Sequence, residues 1–534
     1  MQLKSLLYSS TKSKKLLNAS ILISIFIIGI FVRTYKFDTI PSGLNQDEAS
    51  IGYEAFSILT TGADRNGYSY PIHFVSWGSG QNALYAYLTI PFIHYFGLNT
   101  FSVRIVNVIF SILALFLFYF IVKNHFRIKS FQYLSVFLFA INPWSIMSGR
   151  WGLESNIFPT LILTSVYFII KSIKNNHIYL LPASFFLSLS LYSYGTSYFF
   201  VPFLIVGIFL FIKPFRELKF ITLLSSALVF SALSFPIFQF LITNHLGVSF
   251  DFSTLYSIPK LDSNRTTTIF NLFTGNFLED FTKNIARVLF VIWGQSDGNT
   301  YNSIPTTGTI YHLSIIFVII GIYNYFSDKS SRTLISNIFI IWLSVTLIMS
   351  ITINSNVNRI NIIFYPLIFF CSDGIYKLIL IINESFKKRI FIAVVFVFSL
   401  LFITFVGTYF SVLFNEKTST FSKGIGEALQ YTKIKYPNDT ILVSKDNLNM
   451  PYIYVCFYDK LPTIKFRKDV VYDTHNSIAF RNVKRIGKYI FETSNPKYDF
   501  VMIINNSELN KFQNSSYTIV NFDDFNVIKM ISKK

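Results

Sequence analysis

The reading that decides the fold lies in residues 19–56, ASILISIFIIGIFVRTYKFDTIPSGLNQDEASIGYEAF. Lys4, Lys12, Lys14 and Lys15 precede an apolar run that starts at Ala19 and ends at Arg33. That beginning resembles a signal peptide, but no small-residue cleavage site closes it, so it reads as an uncleaved first membrane span. An acidic pair, Asp47-Glu48, follows within a few turns of chain. Adjacent carboxylates at a membrane surface, in a chain with only 14% charged residues, call for a chemical reason.

Working outward, the 534 residues are 52% hydrophobic and include 61 Phe and 32 Tyr, more than a soluble fold can bury. Apolar runs of about 18–22 residues recur, each long enough to cross a hydrocarbon core of ~30 Å as a helix. Spans are expected near 19–35, 102–122, 131–147, 156–172, 178–195, 198–212, 219–242, 308–326, 333–353, 360–381 and 391–413. With the N-terminus inside, the alternate short loops KNHFRIK, KSIKNNH, KPFRELK, SDKSSR and NESFKKR are all basic. Together with the N-terminal segment they hold 17 Lys or Arg against three acids, Glu217, Asp328 and Glu384. The opposite side carries Asp38, Asp47, Glu48, Glu54, Asp64, Glu154 and further acids. The positive-inside rule therefore supports eleven crossings. The net charge of +19 reports orientation and contact with anionic lipid, not nucleic acid.

Two outer segments are long. Residues 36–101 mix polar turns with aromatic, half-apolar stretches suited to helices lying in the membrane interface. Residues 243–307 are polar, then semi-apolar, and Ile285–Trp293 is too short to span. Past the last span, 415–534 change character. A helical start at Gly424–Lys433, a turn at Pro437-Asn438-Asp439, and strand-like Thr440–Ser444, Tyr498–Ile504 and Tyr517–Val520 predict a small α/β domain outside the membrane. The expected protein is thus a polytopic α-helical membrane protein, residues 1–414, with an extracytoplasmic α/β domain, 415–534. It sits in the plasma membrane with its N-terminus in the cytoplasm. Cys371 and Cys456 are too far apart in chain and environment to form a disulfide framework or zinc spacing.

A carboxylate held within hydrogen-bond reach of a hydroxyl can act as its general base. Of the acidic pair, Asp47 is the candidate base, and Glu48 orients it or holds a partner. The plain alternative is a solvated turn or a helix N-cap, since Asp47 opens a helical-looking stretch.

From Asp47 the chain runs DEAxIGYEAxxxLxTGxDxxG, and later shows Ser102–Arg104, NPW at 142–144, SGRWGLESN at 148–156, YSYGTSYFFVP at 192–202 and NRINIIFYP at 358–366. With these, the chain over about 20–410 resembles glycosyltransferase family 39. That family includes the dolichyl-phosphate-mannose protein mannosyltransferases and the bacterial lipid A aminoarabinose transferase. The resemblance implies the C-type glycosyltransferase fold and a polyprenyl-phosphate sugar donor. The Lys-, Asn-, Ile- and Phe-heavy composition suggests a bacterial AT-rich genome, and with it undecaprenyl phosphate as the expected carrier. The resemblance also implies transfer on the non-cytoplasmic face to a glycan, glycolipid or protein acceptor. Asp47 is then the base, acting with inversion and without a cofactor. The departing lipid phosphate needs cationic partners, and Arg104, Arg150 and Arg359 are the candidates. Each has a structural alternative: snorkelling for Arg104, a helical ion pair with Glu154 for Arg150, an anchor for Arg359. Glu154 is a candidate acceptor or sugar contact. His73 shares that candidacy, though an interfacial place suits it as well. Asp373 and Lys377 are spaced for a helical pair.

No D-x-D, D-x-E or E-x-D occurs in the chain, and hard cations want several oxygen ligands, so no metal is expected. A transporter or flippase is the competing reading. Such proteins usually carry ionisable residues within spans or an internal repeat, and neither is evident here. A non-catalytic polymer-assembly protein on the same scaffold is a third.

Overall fold

The run after Lys15 is helical to Thr34, the apolar end of α1 (Gln2–Thr34). The computed structural model describes residues 2–248, 255–263, 277–411, 419–473, 481–495, 500–512 and 517–530. Among these, seven helices are long and apolar enough to cross a membrane: Lys15–Thr34, Thr100–Val122, Glu154–Lys174, Phe220–Leu246, Leu334–Thr352, Asn361–Ile381 and Glu384–Tyr409. Shorter apolar helices, His177–Leu191, Ser197–Phe211 and Ser314–Ser327, occupy three further expected spans. The stretch expected at 131–147 is broken into Lys129–Ala140 and Pro143–Ser148. Asn142 caps the second piece and Pro143 opens it, a local signal that restarts a helix.

Contacts bring three of the five basic loops together at one end of the bundle. Lys174 Nζ donates to the Asn124 carbonyl, His125 Nδ1 meets Thr333 Oγ1 at 2.8 Å, and Lys377 pairs with Asp328 at 3.8 Å. Asp373 does not pair with Lys377 as its spacing suggested. It takes His125 Nε2 at 2.9 Å instead. A helix four residues away offers a partner, but the neighbouring segment offers a buried one. Backbones also touch within the bundle. A Cβ on Gly374 would collide with the Phe317 carbonyl, and one on Gly321 with that of Phe370, so these glycines let Ser314–Ser327 lie against Phe364–Ile381.

At the other end, residues 36–101 fold into α2 (Gln46–Thr61), a ribbon of β1 (His73–Phe74) against β2 (Gln81–Asn82), and α3 (Leu84–Phe96). Asn45 caps α2: its Oδ1 accepts the Asp47 N–H at 2.9 Å, and its own N–H donates to Glu48 Oε2 at 3.0 Å. Gly62 ends the helix at φ 68°, where a side chain would be strained. The semi-apolar stretch near 285 belongs to an amphipathic helix, Phe277–Ile292, which buries Asn284, Val288 and Val291 on one face.

The C-terminal part is a seven-stranded mixed sheet in the order β4 (Val470–Tyr472), β5 (Val483–Ile486), β6 (Tyr489–Ile490), β3 (Ile441–Val443), β7 (Val501–Asn505), β9 (Phe525–Met530), β8 (Tyr517–Phe522). Strand β3 runs parallel to β6 and β7, and the remaining pairs are antiparallel. The expected strands at 440–444 and 517–520 are present. Of 498–504, residues 498 and 499 lie outside the described residues, and β7 covers 501–504. Strands β4, β5, β6 and β9 were not expected. Three of the four have two to four residues, too short to show alternation.

One core fills the helical bundle. A second joins α2, α3 and the C-terminal sheet through residues such as Ile51, Tyr53, Tyr85, Ile453, Val455 and Phe457. Gly52 makes that junction close, because a Cβ there would sit 2.7 Å from the Phe457 ring. The sheet domain is thus packed directly onto the helix that carries the acidic pair.

Candidate functional site

The two carboxylates of the pair have opposite fates. Glu48 is fully buried, and so is Arg104, which reaches it with Nε at 2.7 Å and Nη2 at 3.0 Å. Glu48 Oε1 also accepts the Gly152 N–H at 2.7 Å. The other donors of Arg104 go to the carbonyls of Phe37, Asp38, Pro41 and Gly43. This guanidinium clamps the turn between α1 and α2 to the helix cap. Successive helical residues differ by about 100° around the axis. With Glu48 turned into the clamp, Asp47 faces the other way, into a cavity.

That cavity measures about 960 Å³ and lies where α2, the β1–β2 ribbon, several helix ends and the sheet domain meet. Its wall includes Asp47, His73, Glu154 and Arg359 from the sequence candidates, and does not include Glu48, Arg104 or Arg150. Arg150 is buried like Arg104. It donates to the carbonyls of Val32, Tyr35 and Ile40 and stacks 4.8 Å from the Phe410 ring centroid. Its expected helical pairing with Glu154 does not form, because residues 149–153 are a turn and the helix starts only at Glu154. Arg104 and Arg150, two of the expected phosphate contacts, lie outside this wall, Arg104 donating to Glu48 and to four backbone carbonyls and Arg150 to three. Arg359 differs. One nitrogen donates to the Asn354 carbonyl at 2.6 Å, the residue is half-buried, and it has no carboxylate partner among the described residues.

His73 sits on the cavity wall, stacked on Phe240 with centroids 4.2 Å apart and Nδ1 3.0 Å from the Phe74 carbonyl. Burial lowers its pKa to about 4, so the ring is neutral near pH 7. Glu154, at the first turn of its helix, accepts a hydrogen bond from Gln81 Nε2 at 3.2 Å. No group of three or more His, Cys, Asp or Glu placed to hold a metal occurs among the described residues.

Several wall residues carry no sequence signal. Lys445, Asn447, Asn449 and Tyr454 come from the sheet domain, some 400 positions after Asp47. Lys445 is exposed, with no ion pair among the described residues. Gln81 and Asn82 come from β2, and Asn82 Nδ2 donates to the Tyr198 hydroxyl at 3.1 Å. The YSYGTSY motif supplies Tyr194 and Tyr198 to the wall, and the NRI motif supplies Asn358 and Arg359.

Residues 82–241 match the dolichyl-phosphate-mannose-protein mannosyltransferase family. The chain is family-39-like. In fold it is similar to ArnT from Cupriavidus metallidurans, solved bound to undecaprenyl phosphate. The TM-score is 0.55 at 11% identity, over 97% of each chain. It is also similar to the archaeal oligosaccharyltransferase AglB from Archaeoglobus fulgidus, solved with an inhibitory peptide and a dolichol-phosphate, at TM-score 0.51 and 14% identity. That likeness covers 83% of this chain but 64% of AglB, so the chain spans under two thirds of that protein. At these identities the likeness is one of fold. No curated protein matches the chain in sequence. The family-39-like chain thus carries the polytopic helical architecture and C-terminal sheet domain expected of it.

Proposed function

We propose that this chain is an integral membrane glycosyltransferase that moves a sugar from a polyprenyl-phosphate donor to an acceptor hydroxyl, with Asp47 as base. The observation that carries the reading is the split of the acidic pair. Glu48 is locked in the Arg104 clamp while Asp47 is presented to a cavity of about 960 Å³ that also holds Glu154 and Arg359. The acceptor oxygen attacks the anomeric carbon and its proton passes to Asp47. The bond from that carbon to the phosphate oxygen breaks, with inversion. The lipid phosphate leaves as a stable anion, so no general acid is needed, and Arg359 offsets the charge growing on it. Undecaprenyl phosphate is the proposed carrier. In support, solved proteins of this fold hold undecaprenyl phosphate or a dolichol-phosphate.

We further propose that the cavity faces the non-cytoplasmic side and that residues 415–534 form a separate domain closing over it. The reaction proposed needs no metal or cofactor. The test is mass spectrometry of polyprenyl-phosphate sugars in membranes carrying wild type or Asp47→Asn at matched folded amounts. One species should build up in the variant, and its mass names the sugar class. Identical lipid-linked pools with unchanged glycans would remove Asp47 as base and bring a transport role forward.

A further inference from the structure

Behind the cavity wall runs a chain of hydrogen bonds that ends on Glu154. It begins at Arg65, which is 1% exposed and pairs with the buried Glu54 at 3.2 Å. Two aromatic rings hold the guanidinium, Trp77 at 4.9 Å and Tyr452 of the sheet domain at 5.7 Å. Arg65 Nη1 donates to Ser50 Oγ at 3.0 Å and Nη2 to Ser76 Oγ at 3.2 Å. A guanidinium only donates, so each hydroxyl must turn its single proton elsewhere. Both find Gln81 Oε1, at 3.0 Å from Ser50 and 3.1 Å from Ser76. With its oxygen held by two donors, the Gln81 amide has one orientation left, and its Nε2 donates to Glu154 Oε2 at 3.2 Å. Ser50, Ser76 and Gln81 are all buried, so water does not compete for these bonds.

We infer that Glu154 is a hydroxyl-binding carboxylate for the sugar, and that Gln81, oriented by Arg65 through Ser50 and Ser76, is its positioning residue. The inference rests on the glycosyltransferase reading. A carboxylate given an N–H donor keeps a fixed rotamer and presents acceptor lone pairs to the cavity. A sugar hydroxyl is the group that matches them. The relay also makes the sheet domain part of the site, because Tyr452 packs on the cation that sets the amide.

The test uses full-length protein in membrane vesicles that retain their own acceptors. The probe is the lipid-linked donor isolated from cells carrying Asp47→Asn. Gln81→Leu should lower kcat by about 10-fold, the loss of one hydrogen bond to a charged group. Glu154→Gln should lower it at least as far, and the double variant no further than Glu154→Gln alone, as expected of residues acting through one another. Ser50→Ala with Ser76→Ala, which frees the amide to flip, should reproduce part of the effect at a lowered melting temperature, because the buried Arg65 loses two acceptors. Additive losses in the double variant would overturn the relay. Wild-type rates in Gln81→Leu and Glu154→Gln, with Asp47→Asn inactive, would overturn it and leave Asp47 as base. Full activity in Asp47→Asn would sink both.

Discussion

Glu48→Gln separates architecture from chemistry within one dipeptide. In the folded protein Glu48 receives two bonds from Arg104, one from the Gly152 N–H and one from the Asn45 N–H, all with no exposed surface on either charged side chain. The substitution removes the carboxylate from a guanidinium that keeps its four carbonyl partners. Breaking a buried pair by neutralising one member costs about 3–5 kcal/mol, because the other charge stays buried. That is a large share of a stability of roughly 5–15 kcal/mol. Melting of the detergent-purified protein should therefore drop sharply in Glu48→Gln and stay unchanged in Asp47→Asn, although neither is active. In Glu48→Gln with Arg104→Met the uncompensated charge is gone. The double variant should be no less stable than the worse single one. If Glu48→Gln purifies and melts like wild type, the clamp is not what holds this turn and the separation of roles fails.

Other outcomes follow from the same geometry. Arg359→Gln should raise the donor KM by about 10–100-fold, matching one charged hydrogen bond of 1.5–3 kcal/mol, with the melting curve little changed; an unaltered KM excludes it from the phosphate. His73 is held near pKa 4 when folded against an ordinary 6.5, so the unfolded chain binds more protons between those values and stability falls as pH drops from about 6.5 to 4. Melting followed from pH 7 to pH 4.5 should show this slope in wild type and a shallower one in His73→Phe. Asp373→Ala, which removes the bond to His125, should cost about 1–3 kcal/mol. Lys377→Gln, whose partner Asp328 is largely exposed, should cost under about 1 kcal/mol. Equal losses in those two would restore the helical pairing that the spacing suggested.

The long apolar helices were legible because crossing a bilayer demands long apolar runs, a local property of the chain. Asp47-Glu48 was legible as a rare acidic pair beside a span, and the resemblance gave the fold. The division of labour within the pair was not, since it depends on which carboxylate meets Arg104, 56 positions away. Likewise nothing local distinguishes Arg104 and Arg150, whose donors are used by backbone carbonyls, from Arg359, which lines the cavity. Gln81 is a neutral amide in a two-residue strand, and Lys445 lies in a different domain, so neither carries a pattern that periodicity or charge could reveal. Sequence by itself determined a membrane-spanning helical chain with an acidic pair at its rim and a sheet domain behind it. Tertiary structure decided which charges are buried staples and which face the cavity, because a side chain's partners are set by packing between segments that are far apart in the chain.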